Sequence, residues 1–126
     1  MKIAITLWKD RVSPVFDAAK GVVLLNLEGD AGHGREAITF KGDDPFARVR
    51  SLQRHGVQVL ICGAISQPVE MALISSGIRV IPFTCGHVDE VLKAFFNGKL
   101  NDKTFSMPGY DSRRIRRGDP GVEGRP

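Results

Sequence analysis

Short, branched, largely apolar runs that each hand on to a segment of helical period constrain this chain more than any other feature. Residues 57–61 (VQVLI) and 78–82 (IRVIP) are two such runs, and residues 2–8 (KIAITLW) are a third at the start. Runs of this length with both faces apolar belong inside a sheet that is covered on two sides. Before the first helical segment lie residues 21–27 (GVVLLNL) and 35–40 (REAITF), separated by a turn holding Gly29, Gly32 and Gly34, which read as a hairpin. The predicted order is β-β-β-α-β-α-β-α. Strands alternating with helices imply a parallel core in an α/β domain of three α/β/α layers, with the second strand antiparallel to its neighbours.

The helices are legible at their ends. Asp43-Asp44-Pro45 joins capping carboxylates to a proline suited to a first turn, and Gly56 supplies the stop. Phe46, Val49 and Leu52 are expected to face inward. Ser66 is placed to cap the second helix, Pro68 sits in its first turn, and Val69, Ala72 and Leu73 point to the core until Gly77. Val88, Val91, Leu92, Phe95 and Phe96 form the clearest amphipathic stripe, with Asp89 and Glu90 complementing the helix dipole and Gly98 closing the helix. Residues 9–20, which contain Ser13-Pro14, read as a loop, because proline removes a backbone donor.

With 126 residues, a single domain over 1–105 is expected, followed by a basic, flexible tail over 106–126. The formal charge of +4 is concentrated there: Arg113, Arg114, Arg116, Arg117 and Arg125 face only Asp119 and Glu123 beyond Ser112. Clustered arginines can contact phosphates, so a non-catalytic interaction or nucleic-acid adaptor is the alternative function. A solvated tail is the simpler reading, and nucleic acid is not expected as a partner. The apolar start ends at Lys9-Asp10-Arg11, too early for a signal-peptide core or a membrane span, so the cytoplasm is the expected compartment and no membrane partner is foreseen. Cys62 and Cys85 are too few for a disulfide scaffold and form no C-x-x-C pair.

Ligands of open α/β sheets bind beyond the carboxyl ends of the strands. Three segments leave that edge: residues 8–17, residues 62–66 (CGAIS) and residues 83–87 (FTCGH). Cys62, Cys85 and His87 therefore converge there, and thiolate with imidazole is a natural ligand set for iron–sulfur or mixed-metal clusters. Cys85 near a helix start is favoured as thiolate; the competing reading is a small residue filling a tight turn. Cys62 closes an apolar strand and is read first as a core residue. His87 is either a ligand or an exposed first-turn residue, while His55 suits a helix end and His33 a solvated turn. Two thiols and one histidine make an incomplete set, so a cluster would bring other ligands or use a second chain. No Walker A loop, G-x-G-x-x-G or G-x-S-x-G elbow is present, and Ser13 and Ser66 lack a base partner. A sheet of this order is similar to that of ribonuclease H, whose two-metal site needs acidic residues on central strands; residues 2–8 and 57–62 have none. The chain is not expected to be an enzyme.

Five blocks in order carry a resemblance: MKIAI at the start, RVSPVFD from Arg11, GVQVLICGAI from Gly56, GIRVIP from Gly77, and GHVDEVL from Gly86 with FNGKL from Phe96. Together they resemble the dinitrogenase iron–molybdenum cofactor biosynthesis family, also called nitrogenase accessory factor-like. The resemblance implies a ribonuclease H-like motif with a five-stranded mixed sheet, order 3-2-1-4-5, strand 2 antiparallel. It also implies binding and delivery of iron–molybdenum cofactor or a related iron–sulfur cluster, in nitrogen fixation or elsewhere. The partners would be the cluster and its donor and acceptor proteins, and a homodimer is left open. Ser13, Phe16 and Ser66, on the loops leaving the same edge, complete the candidate cofactor contacts beside Cys85, His87 and Cys62. The chain departs from the pattern at Val15 and Asp17, where many members carry histidine and glycine, and at Tyr110 and Asp111, where some carry paired cysteines.

Overall fold

The computed structural model describes residues 1–28, 32–98, 105 and 107. β1 (Lys2–Trp8) turns back at once into the two-residue β2 (Arg11–Val12), and a single 3-10 turn (Phe16–Ala18) leads to the hairpin of β3 (Gly21–Glu28) and β4 (Gly32–Thr39). The chain then alternates through α1 (Pro45–Arg54), β5 (Val59–Ile61), α2 (Gln67–Ser75), β6 (Arg79–Ile81) and α3 (Val88–Phe96). The sheet order is β4-β3-β1-β5-β6, with β2 paired to the end of β1. β3 is antiparallel to both neighbours, whereas β5 follows β1, and β6 follows β5, in parallel. Numbered along the chain without β2, the five principal strands stand 3-2-1-4-5 with the second reversed, as expected. The short β2 corrects the expectation of an unbroken loop over residues 9–20.

Alternation along the strands builds two separate cores. Ala4, Val22, Leu24 and Leu60 face Val49 and Leu52 of α1 and Val69 and Leu73 of α2. Ile3, Ile5, Val23, Leu25, Val59 and Ile61 face Val88, Val91 and Leu92 of α3. Each aliphatic side chain fully buried in these layers contributes about 1.5–3 kcal/mol relative to exposure. Helices therefore cover both faces of the sheet, as the apolar runs required.

The helix ends follow from local chemistry. The Asp44 side chain accepts a hydrogen bond from the Phe46 N–H at 2.9 Å, and Pro45 occupies the first turn. Gly56, at φ 74°, takes the left-handed conformation that ends α1, and Lys2 Nζ donates to the His55 carbonyl at 2.7 Å. Phe46 and Phe96 do not face inward: each lies on the flank of its helix's apolar stripe and is exposed. The buried face of α1 is centred instead on Arg48, Val49 and Leu52. Apart from Met107, the expected flexible tail, with its arginines, lies outside the described residues. No helix among the described residues is long and apolar enough to cross a membrane.

Gly63 follows β5 where the first loop crosses the sheet end. A Cβ there would run into the carbonyl oxygens of Ser13 and Pro14, and backbone cannot give way as a flexible side chain can. Gly63→Ala should cost about 1–3 kcal/mol or more, read as a lower urea midpoint with unchanged slope. A wild-type midpoint would show that the two loops are not in contact.

Candidate functional site

The three segments that leave the carboxyl ends of β1, β5 and β6 are joined by backbone hydrogen bonds. Phe16 N–H donates to the Ala64 carbonyl and Ala64 N–H to the Pro14 carbonyl, both at 2.7 Å. Phe83 N–H donates to Gly63 O and Thr84 N–H to Cys62 O, both at 2.9 Å. Val12 N–H reaches Gly86 O, and Val88 N–H reaches Asp10 O, again both at 2.9 Å. The first loop thus touches both others, and one rim is built from three chain segments. Lys9 (φ 60°) and Phe83 (φ 55°), the two non-glycine residues with positive φ among the described residues, both stand on it. Such backbone strain collects where the surroundings over-determine the geometry, often at functional sites.

The rim divides the candidate residues. Cys62 is fully buried in the core under α1 and α2. Burial, and after it the negative charges of Glu70 and Asp17, push its thiol pKa up, so it stays protonated at neutral pH. A neutral, sealed thiol packs as a small hydrophobe and is not a ligand. Phe16 is also fully buried, edge-on to Phe40 with ring centroids 6.3 Å apart, and anchors the loop from below. Ser13 is buried, and its hydroxyl donates to the Val15 carbonyl at 3.3 Å. Ser66 precedes α2 but does not cap it with its side chain. Its hydroxyl and N–H instead donate to the Asp17 carboxylate at 2.7 and 3.1 Å. Cys85 is partly exposed, and its N–H donates to the Phe105 carbonyl at 2.9 Å. Its place two residues before the N-cap, His87, puts it outside the first turn of α3. His87 is exposed.

Three residues not foreseen as site residues give the rim its chemistry. Arg11 stands opposite His87 in a backbone bridge, with a guanidinium nitrogen 3.2 Å from His87 Nε2. Asp10 places a carboxylate oxygen 3.4 Å from His87 Nδ1. A guanidinium can only donate, so Nε2 must accept; in the neutral ring the proton then sits on Nδ1, toward Asp10. A carboxylate behind one histidine nitrogen and a lone pair on the other is the arrangement that orients metal-binding imidazoles. Asp17 is the third, tying the first loop to the start of α2. The roles of Asp10 and Arg11 depend on the two-residue hairpin of Lys9-Asp10, whose sequence lacks the Asn-Gly or Asp-Gly signal of such turns.

A groove of about 600 Å³ opens beside this array, between β3, β4 and the start of α3, with Leu7, Lys9, Asp10, Arg35, His87 and Asp89 among its walls. Arg35 and Asp89 are paired across it at 2.9 Å, both exposed, so the pair adds little stability. Cys85 is not part of the groove wall; it lies two residues before His87 on the same loop. Among the described residues, no three His, Cys, Asp or Glu side chains gather to hold a metal ion.

Solved structures of similar fold span nearly the whole domain. The crystal structure of PH0822 superposes with a TM-score of 0.76 at 23% identity, covering 90% of this chain and 98% of that one. The apo form of the orange protein from Desulfovibrio gigas gives 0.65 at 24% identity, covering 78% and 88%. A Thermotoga protein, described as a candidate NifB, gives 0.62 at 27% identity, covering 78% and 89%. No curated protein sequence matches the chain significantly. The family model described as "Dinitrogenase iron-molybdenum cofactor" matches residues 1–98, and the chain belongs to that family.

Proposed function

We propose that the chain is a non-catalytic carrier that receives a preassembled metal–sulfur cluster, iron–molybdenum cofactor or an iron–sulfur relative, and passes it to an acceptor protein. The observation that carries this reading is the Asp10–His87–Arg11 array, which holds an imidazole lone pair at an exposed rim. Family membership supports the cargo class.

The donor set suits cargo better than a resident ion. A bare ion needs three or four protein ligands, and none of the described residues form such a group. A cluster brings its own sulfides and needs few ligands from its carrier. His87 Nε2 would supply one, and Cys85, on the same loop, a thiolate once deprotonated. Arg11 would shift from the imidazole lone pair to the negative charge of the cluster. Cys62 takes no part, because it is sealed and protonated. A carrier must also release its load, and one or two ligands on an open rim permit that.

Loading tests the reading directly. Anaerobic incubation with a cluster donor, followed by metal analysis and visible absorption, should give a bound cluster in the wild type. His87→Ala and Cys85→Ser should each lose most of it, and Asp10→Asn should weaken binding about 10- to 100-fold. No bound metal in the wild type, or undiminished binding in both ligand variants, would reject the site. Thiol alkylation of the folded protein should modify Cys85 and spare Cys62, with both reacting after denaturation. Rapid labelling of native Cys62 would contradict its assignment to the core.

A further inference from the structure

A second hollow of about 490 Å³ lies at the same end of the sheet but on the α1 face, with Asp17, Lys20, Phe40, Gly42, Asp43 and Arg48 in its wall. Arg48 is unusual there. It is only 4% exposed, yet among the described residues no carboxylate pairs with it. Its Nε donates to the Ala19 carbonyl at 2.9 Å and one terminal nitrogen to the Gly42 carbonyl at 3.4 Å. The Phe40 ring lies 5.5 Å from the guanidinium carbon. The remaining nitrogen, Nη1, is buried with no hydrogen-bond partner.

A buried guanidinium without an anion is expensive, because carbonyl dipoles and a ring face replace only part of its hydration. Arginine matches planar oxyanions by two parallel N–H donors. The nearby carboxylates do not serve this purpose: Asp17 is taken up by Ser66, and Asp43 is exposed at the mouth. We infer that this hollow is a binding site for a small monocarboxylate, whose oxygens take the unfilled N–H groups of Arg48 while Lys20 faces the open side. Carboxylate is favoured over phosphate by charge: Asp17 and Asp43 in the wall balance Arg48 and Lys20, so no excess positive charge is left to offset the second negative charge of a dianion. The site shares no side chain with the His87 array and stands whether or not a cluster binds there.

Acetate is the probe, titrated into the intact protein at constant ionic strength with chloride as the balancing salt. Buried and hydrogen-bonded, the Arg48 Nε–H group should be visible by NMR, and acetate should shift its resonance saturably while chloride leaves it unmoved. Lys20→Ala should weaken that response roughly two- to five-fold. Arg48→Met keeps the length of the chain without its charge; it should stay folded and lose any acetate-dependent rise in Tm. A response that never saturates would assign the empty Nη1 valences to water and overturn the proposal. So would phosphate binding tighter than acetate, or an acetate effect that survives in Arg48→Met.

Discussion

Where the first loop crosses the end of β5, two backbones come so close that position 63 has no room for a side chain. The Ala64 N–H and carbonyl both bond to this loop, one on each side of Val15, and Phe16 is driven into the core directly after. Two backbone hydrogen bonds at 2.7 Å, beside the fully buried Phe16, hold the loop in register. Other placements follow from this contact. It brings Asp17 to Ser66, and Val12 to Gly86, and the latter sets Asp10 and Arg11 around His87. The rim is therefore a rigid product of the sheet, even though its side chains come from loops.

The cysteines show what burial adds to residue type. In sequence, each precedes a glycine, but Cys62 directly closes an apolar strand, which favours the core, whereas Cys85 stands near a helix start. In the fold, Cys62 closes β5 under α1 and α2, whereas Cys85 lies three residues beyond Pro82 on a loop lifted by the strained Phe83. That difference turns one thiol into packing and leaves the other within reach of solvent.

The strand order and helix positions were legible because period 2 and period 3.6 are properties of the chain itself, and the caps Asp44-Pro45 and Gly56 mark where one gives way to the other. Burial at helix edges was less so. Phe46 and Phe96 looked like core by residue type, but lie beyond the arc that the sheet covers. At the rim, the convergence of three loops could be read from topology, and it located His87. Its partners could not be read, since Asp10 and Arg11 act through a turn with no glycine or asparagine to announce it. Arg48 was hidden for the opposite reason: a charged residue in an amphipathic helix is assigned to solvent unless something shows otherwise.

The two hollows differ in chemistry because the sheet separates them. The groove on the α3 face offers an imidazole lone pair amid paired charges, a setting for soft metal-bearing cargo. The hollow on the α1 face offers an unpaired guanidinium over an aromatic ring, a setting for a hard oxyanion. Yet the first loop contributes to both, through Asp10 and Arg11 at one end and Asp17 and Ala19 at the other. Between these ends lie the bonds to Ala64 and the buried Phe16, with no glycine to act as a hinge. Coupling between sites requires an element with two arrangements that both ligands bias. A loop pinned by Gly63 and Ala64 from beneath, and by Gly86 at one side, has one arrangement in this fold. The two sites are thus expected to fill independently, each on its own face of one rigid rim.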